Sequence, residues 1–212
     1  MYKNFSKVYD KFMEVCDYDE WIEILERHIK ENNPEGKKIL DLGCGTGKNL
    51  LKLSEKYECS GRDLSEEMLK RAKIRLKGKN VPLFLGDMRA FDTGEKYDII
   101  FSFFDTVNHL TSTEDLMDLF NSVRNSLNNG GIYVFDVVDR EFMDKMFAND
   151  VYADNRKDFA VIWEHFYDEI LTKSKLFILW KIKIELLTGW QSTMRREFSQ
   201  KMKFLTVQKM LD

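Results

Sequence analysis

The feature that most constrains this fold is an apolar strand that runs directly into a glycine-rich loop. Residues 39–47 read Ile-Leu-Asp-Leu-Gly-Cys-Gly-Thr-Gly, and an amphipathic stretch follows at residues 47–56. Glycines in such a loop remove side chains and tolerate left-handed backbone angles, so a ligand can approach the main chain closely. The order strand, glycine loop, helix is typical of an α/β protein that binds its ligand at the carboxyl ends of parallel strands.

The chain continues to about residue 140 as short apolar segments that alternate with amphipathic ones. This alternation predicts a parallel sheet covered by helices on both faces. Helix starts are marked by Ser65, which precedes two glutamates, and by Thr111, which stands three residues before Glu114 as in a capping box. The predicted strands are residues 37–42, 57–62, 82–85, 97–103 and 132–138, and the predicted helices are residues 47–56, 65–76 and 113–127.

Different patterns flank this region. Trp21, Leu25 and Ile29 recur at four-residue steps, which predicts an amphipathic helix in the N-terminal block. The aromatic segment 159–167 and the alternating residues 181–186 predict antiparallel strands with one exposed face, whereas the last residues fit either a helix or a strand. We therefore predict a single domain, residues 1–212, composed of a helical lid (1–36), a parallel sheet (37–140) and an antiparallel cap (141–212).

Composition excludes several classes of protein. A chain of 212 residues that is 43% hydrophobic and carries two prolines is long enough for one core and unlike a disordered protein. It has no apolar run near the ~18 residues of a membrane span and no signal peptide, so we expect a cytoplasmic protein without a membrane partner. Three cysteines without a C-x-x-C pair predict neither disulfides nor a metal site.

The glycine loop distinguishes between ligand classes. A nucleoside triphosphate loop needs a Lys-Ser or Lys-Thr pair after its last glycine, but Lys48 is followed by Asn49. A dinucleotide fingerprint would need glycine where Lys48 stands, and Asp41 would place a negative charge beside the pyrophosphate. An acid before G-x-G-x-G instead suits a ligand that is cationic at this end, such as S-adenosylmethionine. Asp63, 22 residues after Asp41, suits the hydroxyls of a ribose.

Five motifs in order resemble the class I S-adenosylmethionine-dependent methyltransferases, especially small bacterial enzymes that act on small molecules. The resemblance covers residues 2–140 and implies a three-layer, Rossmann-like α/β fold with an antiparallel C-terminal cap. The matching segments are residues 41–47 (Asp-Leu-Gly-Cys-Gly-Thr-Gly), 61–68 (Gly-Arg-Asp-Leu-Ser-Glu-Glu-Met), 86–88 (Gly-Asp-Met), 97–103 (Tyr-Asp-Ile-Ile-Phe-Ser-Phe) and 127–136 (Leu-Asn-Asn-Gly-Gly-Ile-Tyr-Val-Phe-Asp).

The resemblance assigns cofactor contacts residue by residue. The first motif lies along the methionine part of the cofactor, the second holds the ribose and packs near the adenine, and the third receives the adenine amino group. A tyrosine of the N-terminal helices shields the sulfonium by cation–π attraction. The implied cofactor-binding residues are Asp41, Gly43, Cys44, Gly45, Gly47, Asp63, Leu64, Met68, Asp87, Met88, Phe103 and Tyr9.

The acceptor would be bound by the loop after the fourth strand, residues 103–110. His109 and Asp105 are candidate general bases, because an imidazole titrates near working pH and a carboxylate can accept an amine or hydroxyl proton. Tyr9 is the third candidate catalytic residue. Asp105, Asn108, His109 and Trp21 are the candidate acceptor-binding residues, with the alternative that Asn108 and His109 only cap the next helix.

We therefore expect methyl transfer to a nitrogen or oxygen of a small molecule by in-line displacement, which needs no metal. The acceptor loop lacks the Asn/Asp-Pro-Pro-aromatic motif of DNA and protein-amide methyltransferases, and the net charge of -3 gives no pull toward nucleic acid. A protein or RNA methyltransferase, supported by the basic segment 173–212, and a non-catalytic cofactor-binding or assembly module stay open as alternatives. The fifth strand needs a neighbour, which we expect to be the C-terminal block or the second subunit of a homodimer.

Overall fold

The computed structural model describes residues 2–138, 151–156, 159–167, 172–180 and 203–208. The N-terminal block forms helices α1 (Tyr2–Phe12) and α2 (Tyr18–Asn32), separated by a short 3-10 turn. Asp17 caps α2 by accepting hydrogen bonds from the backbone of Asp19 and Glu20, and Asn33 ends it in the left-handed conformation. The predicted N-terminal helices are thereby confirmed.

A six-stranded sheet lies at the centre of the fold, in the order β3-β2-β1-β4-β5-β9. The first five of its strands run parallel, and β9 runs antiparallel along β5. The strands are β1 (Lys38–Leu42), β2 (Glu58–Asp63), β3 (Leu83–Leu85), β4 (Tyr97–Ser102), β5 (Leu127–Val137) and β9 (Lys203–Gln208), and the helices between them are α3 (Lys48–Leu53), α4 (Glu66–Arg75) and α5 (Thr113–Ser126). This topology confirms the predicted α/β fold class.

Alternate residues of each strand enter different cores, one on each face of the sheet. On one face, Ile39 and Phe101 pack against residues of α2, α3 and α4, including Leu25, Leu50 and Ala72. On the other face, their neighbours pack against α5. Both faces are therefore covered, as the continuous apolar strands predict.

Two predicted details were wrong. The cap of α5 is Ser112, whose hydroxyl accepts from the backbone of Asp115, so the capping box is shifted by one residue from Thr111 and Glu114. β5 begins at Leu127 rather than at residue 132, because the chain enters the strand directly from α5.

The edge of β5 is covered by the C-terminal block. Residues 132–137 pair with residues 203–208, which places the end of the chain against that edge and confirms the first of the two expected neighbours. Three further strands, β6 (Val151–Asn155), β7 (Phe159–Tyr167) and β8 (Thr172–Trp180), form a separate antiparallel sheet that contains the predicted aromatic segment. The alternating residues 181–186 lie outside the described residues.

The lid and the antiparallel sheet pack against each other. Val8, Phe12 and Met13 of the N-terminal block form a small core with Phe159 and Val161 of β7. None of the helices in the described ranges is long and apolar enough to cross a bilayer. The strand order reverses between β1 and β4, and ligands of open α/β sheets bind at the carboxyl ends of the strands at such a point.

Candidate active site

A cavity of about 610 Å³ opens at the carboxyl ends of the parallel strands. This volume lies within the range of small-molecule sites, roughly 300–1,000 Å³. Its wall combines the glycine loop, the ends of β2 and β3, the loop after β4 and both N-terminal helices. The lining residues are Tyr9, Tyr18, Leu42, Gly43, Cys44, Gly45, Thr46, Lys48, Asn49, Arg62, Asp63, Leu64, Ser65, Glu66, Glu67, Met68, Gly86, Asp87, Met88, Phe103, Phe104, Thr106 and His109.

The glycine loop presents its backbone to this cavity. Gly43 and Gly45 have φ angles of 93° and 52°, in the left-handed region. A Cβ on Gly43 would collide with the side chain of Thr106, whereas no protein atom lies within 4 Å of the Cβ position of Gly45. The backbone N–H of Gly43 donates to the carbonyl of Arg62 at 2.7 Å, which ties the loop to β2.

Gly47 has a different role from the other two glycines. It does not line the cavity, and its Cβ would lie 3.2 Å from Ala72 and Leu76 of α4. Its φ of 76° and this close approach allow α3 to start against α4. Gly47 therefore has a packing role, and its predicted contact with the cofactor stays a prediction.

Asp41 is buried beneath the loop and is also absent from the cavity wall. Burial, and then the charge of Asp63, raise the pKa of Asp41 well above its usual value. Its Oδ2 has no hydrogen-bond partner within the described part of the chain. A buried carboxyl oxygen without a donor is costly, so this position favours a ligand that brings positive charge or a donor to the loop.

Asp63 connects the glycine loop to α4. Its Oδ2 accepts from the backbone N–H of Gly45 and its Oδ1 from that of Ser65, both at 2.7 Å. Burial raises the pKa of Asp63, although these hydrogen bonds oppose the shift. Because each carboxylate oxygen has two acceptor sites, Asp63 can still accept two hydroxyl donors from a ligand in the cavity.

A third carboxylate, Asp87, lies farther along the wall. Arg89 Nη2 donates to Asp87 Oδ2 at 2.6 Å, and this pairing lowers the pKa of Asp87. Arg62 lies over the ring of Phe91, 5.5 Å from its centroid, and donates to the carbonyl of Asp87 at 3.3 Å. Asp87 therefore stays ionised beside the guanidinium groups of Arg89 and Arg62.

Apolar side chains lie near Asp87. Leu64 is 71% exposed, although it is a large aliphatic residue, and it lines the cavity with Met68 and Met88. An exposed leucine in a cavity that also contains two methionines suits a flat apolar group.

The lid is connected to the glycine loop by Asp10. Its Oδ1 accepts from the hydroxyl of Thr46 at 2.7 Å, and its Oδ2 accepts from Arg75 Nη2 of α4 at 2.6 Å. The other guanidinium nitrogen of Arg75 donates to the carbonyl of Thr46. These contacts fix α1 with the adjacent Tyr9 on the cavity wall.

Tyr18 and Lys48 close the same side of the cavity. Lys48 Nζ lies 4.5 Å from the centroid of the Tyr18 ring and 3.4 Å from the carbonyl oxygen of Asp10, to which it donates. Burial lowers the pKa of Lys48, and the nearby charge of Asp10 opposes that shift. The lid side of the cavity therefore holds a cation and two tyrosines.

The loop after β4 provides the remaining wall through Phe103, Phe104, Thr106 and His109. The side chain of His109 is exposed and lines the cavity. Desolvation by the surrounding protein lowers the pKa of its imidazole, and the negative charge of Asp63 only partly offsets this shift. Its imidazole is therefore neutral near pH 7 and able to accept a proton.

Three predicted acceptor residues do not reach the cavity. Trp21 is 2% exposed and stacks on Phe104 at 4.4 Å between ring centroids, so it supports the wall from behind. Asp105 donates its backbone N–H to Asp136 Oδ2 at 2.9 Å. Burial raises the pKa of Asp105 to about 7. The amide side chain of Asn108 exchanges two hydrogen bonds, of 2.8 and 3.0 Å, with the backbone of Val138.

Trp21, Asp105 and Asn108 thus have structural partners in the fold, and their contact with an acceptor stays a prediction. The alternative that Asn108 caps the next helix is wrong, because Ser112 is that cap.

Comparison with known proteins connects this site to a family. A family described as a methyltransferase domain matches residues 39–131. The putative methyltransferase YqeM of Bacillus subtilis (strain 168) is 36% identical over 171 residues, which is 78% of this chain and 67% of that protein. The chain belongs to the class I S-adenosylmethionine-dependent methyltransferases.

Two further comparisons support the family at the level of fold and sequence. The crystal structure of an S-adenosylmethionine-dependent methyltransferase from Clostridium acetobutylicum ATCC 824 superposes with a TM-score of 0.75 at 24% identity, covering 97% of this chain and 79% of that one. The dTDP-3-amino-3,4,6-trideoxy-alpha-D-glucopyranose N,N-dimethyltransferase of Streptomyces venezuelae is 35% identical over 109 residues, which is 51% of this chain and 45% of that enzyme. The predicted family and enzyme class are confirmed.

The site of this methyltransferase fits S-adenosylmethionine, the cofactor of the family. The glycine loop leaves its backbone open, and Asp63 keeps unused acceptor sites. Within the described residues, no cluster of side chains could hold a metal ion.

Several lining residues of this methyltransferase were not predicted as site residues. Thr46 and Gly86 lie inside the recognised motifs, and Tyr18 follows the predicted lid tyrosine, so the sequence contained a signal for these three. Phe104 and Thr106 belong to the predicted acceptor loop. Leu42, Arg62, Ser65, Glu66 and Glu67 also lie inside those motifs, whereas the sequence offered no distinct signal for Lys48 and Asn49.

Proposed function

We propose that this methyltransferase transfers a methyl group from S-adenosylmethionine to a small molecule, on a nitrogen or an oxygen, with an amine as the first acceptor class. The observation that carries the proposal is that His109, whose pKa is lowered by the surrounding protein, shares one cavity with the glycine loop and Asp63. The sugar N,N-dimethyltransferase of Streptomyces venezuelae, which matches half of this chain, supports an amino group on a small molecule as the acceptor.

The cofactor would be held by the residues that line the deeper part of the cavity. The backbone of Gly43 and Gly45 would lie along its methionine part, and Asp63 would accept hydrogen bonds from the ribose hydroxyls. Leu64, Met68 and Met88 would pack against the adenine, and Asp87 would accept from its amino group. When bound, the cofactor supplies the electrophilic methyl group.

His109 would act at the acceptor end. Methyl transfer is an in-line displacement, so the protein aligns the acceptor with the methyl carbon and excludes water. The acceptor nitrogen would take the methyl group as the carbon–sulfur bond breaks, which leaves S-adenosylhomocysteine as the second product, and the neutral imidazole of His109 would accept the proton that the nitrogen then loses. The rings of Tyr9, Phe103 and Phe104 line this cavity and would stabilise the positive charge of the sulfonium before transfer.

A matched acceptor assay tests the proposal. The purified protein is incubated with S-adenosylmethionine and with pairs of compounds that differ only in an amine or a hydroxyl, including amino sugars and their parent sugars, and S-adenosylhomocysteine formation is measured. We expect turnover of at least one amine and less of its hydroxyl partner. Binding of S-adenosylhomocysteine without turnover of any acceptor would contradict the proposal and favour a non-catalytic module.

The role of His109 has its own control. His109→Gln should lower kcat by about 10²–10⁴, the usual contribution of a general base, while the affinity for S-adenosylhomocysteine is retained. His28→Gln makes the same substitution on α2, and this residue does not line the cavity, so both quantities should stay at wild-type values. Equal activity of the two variants would remove His109 from the mechanism and leave methyl transfer itself standing.

A further inference from the structure

The loop after β4 has an unfavourable backbone conformation at the cavity. Phe104 and Asp105 have φ angles of 61° and 67°, so two consecutive residues other than glycine lie in the left-handed region. A phenylalanine rarely adopts this conformation, because its Cβ approaches the neighbouring carbonyl oxygen. Such a pair persists only where surrounding contacts hold it in place.

Asp136 of β5 supplies those contacts. It is 0% exposed and does not line the cavity. Its Oδ2 accepts from the backbone N–H of Asp105 at 2.9 Å, and its Oδ1 has no hydrogen-bond partner among the described residues. One buried side chain therefore binds the backbone of the second residue of the left-handed pair.

Two other contacts anchor the same loop. The side chain of Asn108 exchanges two hydrogen bonds with the backbone of Val138, immediately after β5. The hydroxyl of Thr106 donates to the carbonyl of Phe103 at 2.8 Å. The loop is thus held to β5 at Asp105 and to the residue after β5 at Asn108, and the cavity-lining residues Phe104 and His109 directly adjoin these two anchors.

We propose that Asp136 is a positioning residue for methyl transfer, which holds Phe104 and Asp105 in the left-handed conformation and thereby places Phe104 and His109 on the cavity wall. This inference rests on the proposed function, because it assigns those two residues to the acceptor end. Asp136 acts through the backbone of the loop and touches neither cofactor nor acceptor.

The structure provides a matched control for a purely structural effect. Asp98, at the opposite end of the sheet, is also buried, and its Oδ2 accepts from a backbone N–H, that of Lys38, at 2.9 Å. Asp136→Ala and Asp98→Ala both remove a buried carboxyl group that binds backbone. We expect both to lower Tm, but only Asp136→Ala to lower kcat/KM for the acceptor by tenfold or more. The affinity for S-adenosylhomocysteine should change less than threefold in either variant.

Relief of the backbone conformation gives the decisive test. Glycine adopts a positive φ without penalty, so Asp105→Gly introduced into Asp136→Ala should recover at least half of the lost kcat/KM. Asp136→Asn keeps an acceptor oxygen in nearly the same place and should retain more activity than Asp136→Ala. No rescue by glycine, or equal activity losses at Asp136 and Asp98, would overturn the proposal.

A measurement without turnover separates this inference from the proposed function. Hydrogen exchange of a peptide covering residues 103–110 should be faster in Asp136→Ala than in wild type and unchanged in Asp98→Ala. If Asp136→Ala fails to fold, Asp136→Asn and its combination with Asp105→Gly are compared in the same way. Unchanged exchange in this peptide would contradict the positioning role even if the enzyme proves active on no tested acceptor.

Discussion

At the scale of single residues, the carboxylate of Asp63 has a structural role in the glycine loop and a proposed role in binding the ribose. It binds the backbone of Gly45 and Ser65, and each of its two oxygens keeps an acceptor site that a ligand hydroxyl can use. Asp63→Ala should therefore weaken S-adenosylhomocysteine binding by about 1–3 kcal/mol, or roughly 5–150-fold, because buried donors lose a charged acceptor. Isothermal titration calorimetry measures this change. Asp92→Ala, at an exposed turn, should leave the affinity unaltered, and an unaltered affinity in Asp63→Ala would show that the ribose assignment is wrong.

Alanine variants of Gly43 and Gly78 distinguish the cost of a left-handed backbone from the cost of a steric clash. Their φ angles are 93° and 84°, but only at Gly43 would a Cβ meet another side chain, that of Thr106. Gly78→Ala should cost only the left-handed penalty of about 1–2 kcal/mol. Gly43→Ala should cost roughly 1–3 kcal/mol more, because it also forces Thr106 aside. Urea unfolding of both variants measures the difference, and equal free energies of unfolding would contradict the predicted contact.

At the scale of elements, α1 connects the cofactor half of the cavity to the cap. Asp10 binds Thr46 and Arg75 on one side of the helix, while Val8 and Phe12 pack against Phe159 of β7 on the other. Both partners of the ion pair are partly exposed, so the pair itself contributes about 1 kcal/mol at most. Its importance is geometric, since it fixes α1, and with it Tyr9, on the cavity wall.

Exchange of the two charges tests this connection. Asp10→Asn and Arg75→Gln should each accelerate S-adenosylhomocysteine dissociation by about fivefold, the equivalent of ~1 kcal/mol. The double variant Asp10→Arg with Arg75→Asp restores an ion pair and should recover part of the wild-type rate in stopped-flow fluorescence. Breaking the exposed pair of Lys56 and Glu26 by Lys56→Gln serves as the control. If the double variant instead dissociates faster by the product of the two single-variant factors, the ion pair between Asp10 and Arg75 does not control dissociation.

The elements also show what a sequence can predict. Strands β1, β3, β4 and β5 were predicted because each contains an apolar segment bounded by turns, and Asp63 because it ends a predicted strand 22 residues after Asp41. The structural contacts of Trp21 and Asn108 could not be predicted, because their partners, Phe104 and Val138, are distant in sequence. The left-handed conformation of Phe104 has no local signature, since it depends on a carboxyl group supplied by another strand.

At the scale of the whole molecule, buried carboxyl groups couple stability to pH. Burial raises the pKa of Asp105 and of Asp136 to about 7 and raises that of Asp41 well above its usual value. In the unfolded chain these groups ionise near pH 4. The folded protein therefore holds protons between pH 4 and 7 that the unfolded chain has released, and the stability associated with them is present at low pH and lost as pH rises through 7.

Because Asp105 and Asp136 interact directly, we expect about one proton of difference from this pair, which corresponds to a loss of about 1.4 kcal/mol per pH unit between pH 5 and 7. Urea unfolding at several pH values measures the slope. Asp136→Asn removes one titrating group and should flatten it, whereas Asp92→Asn, which removes an exposed carboxylate, should leave it unchanged. A free energy of unfolding that rises from pH 5 to 7, or an equal slope in both variants, would contradict the idea that the anchor of the acceptor loop is also the main pH-sensitive group of the fold.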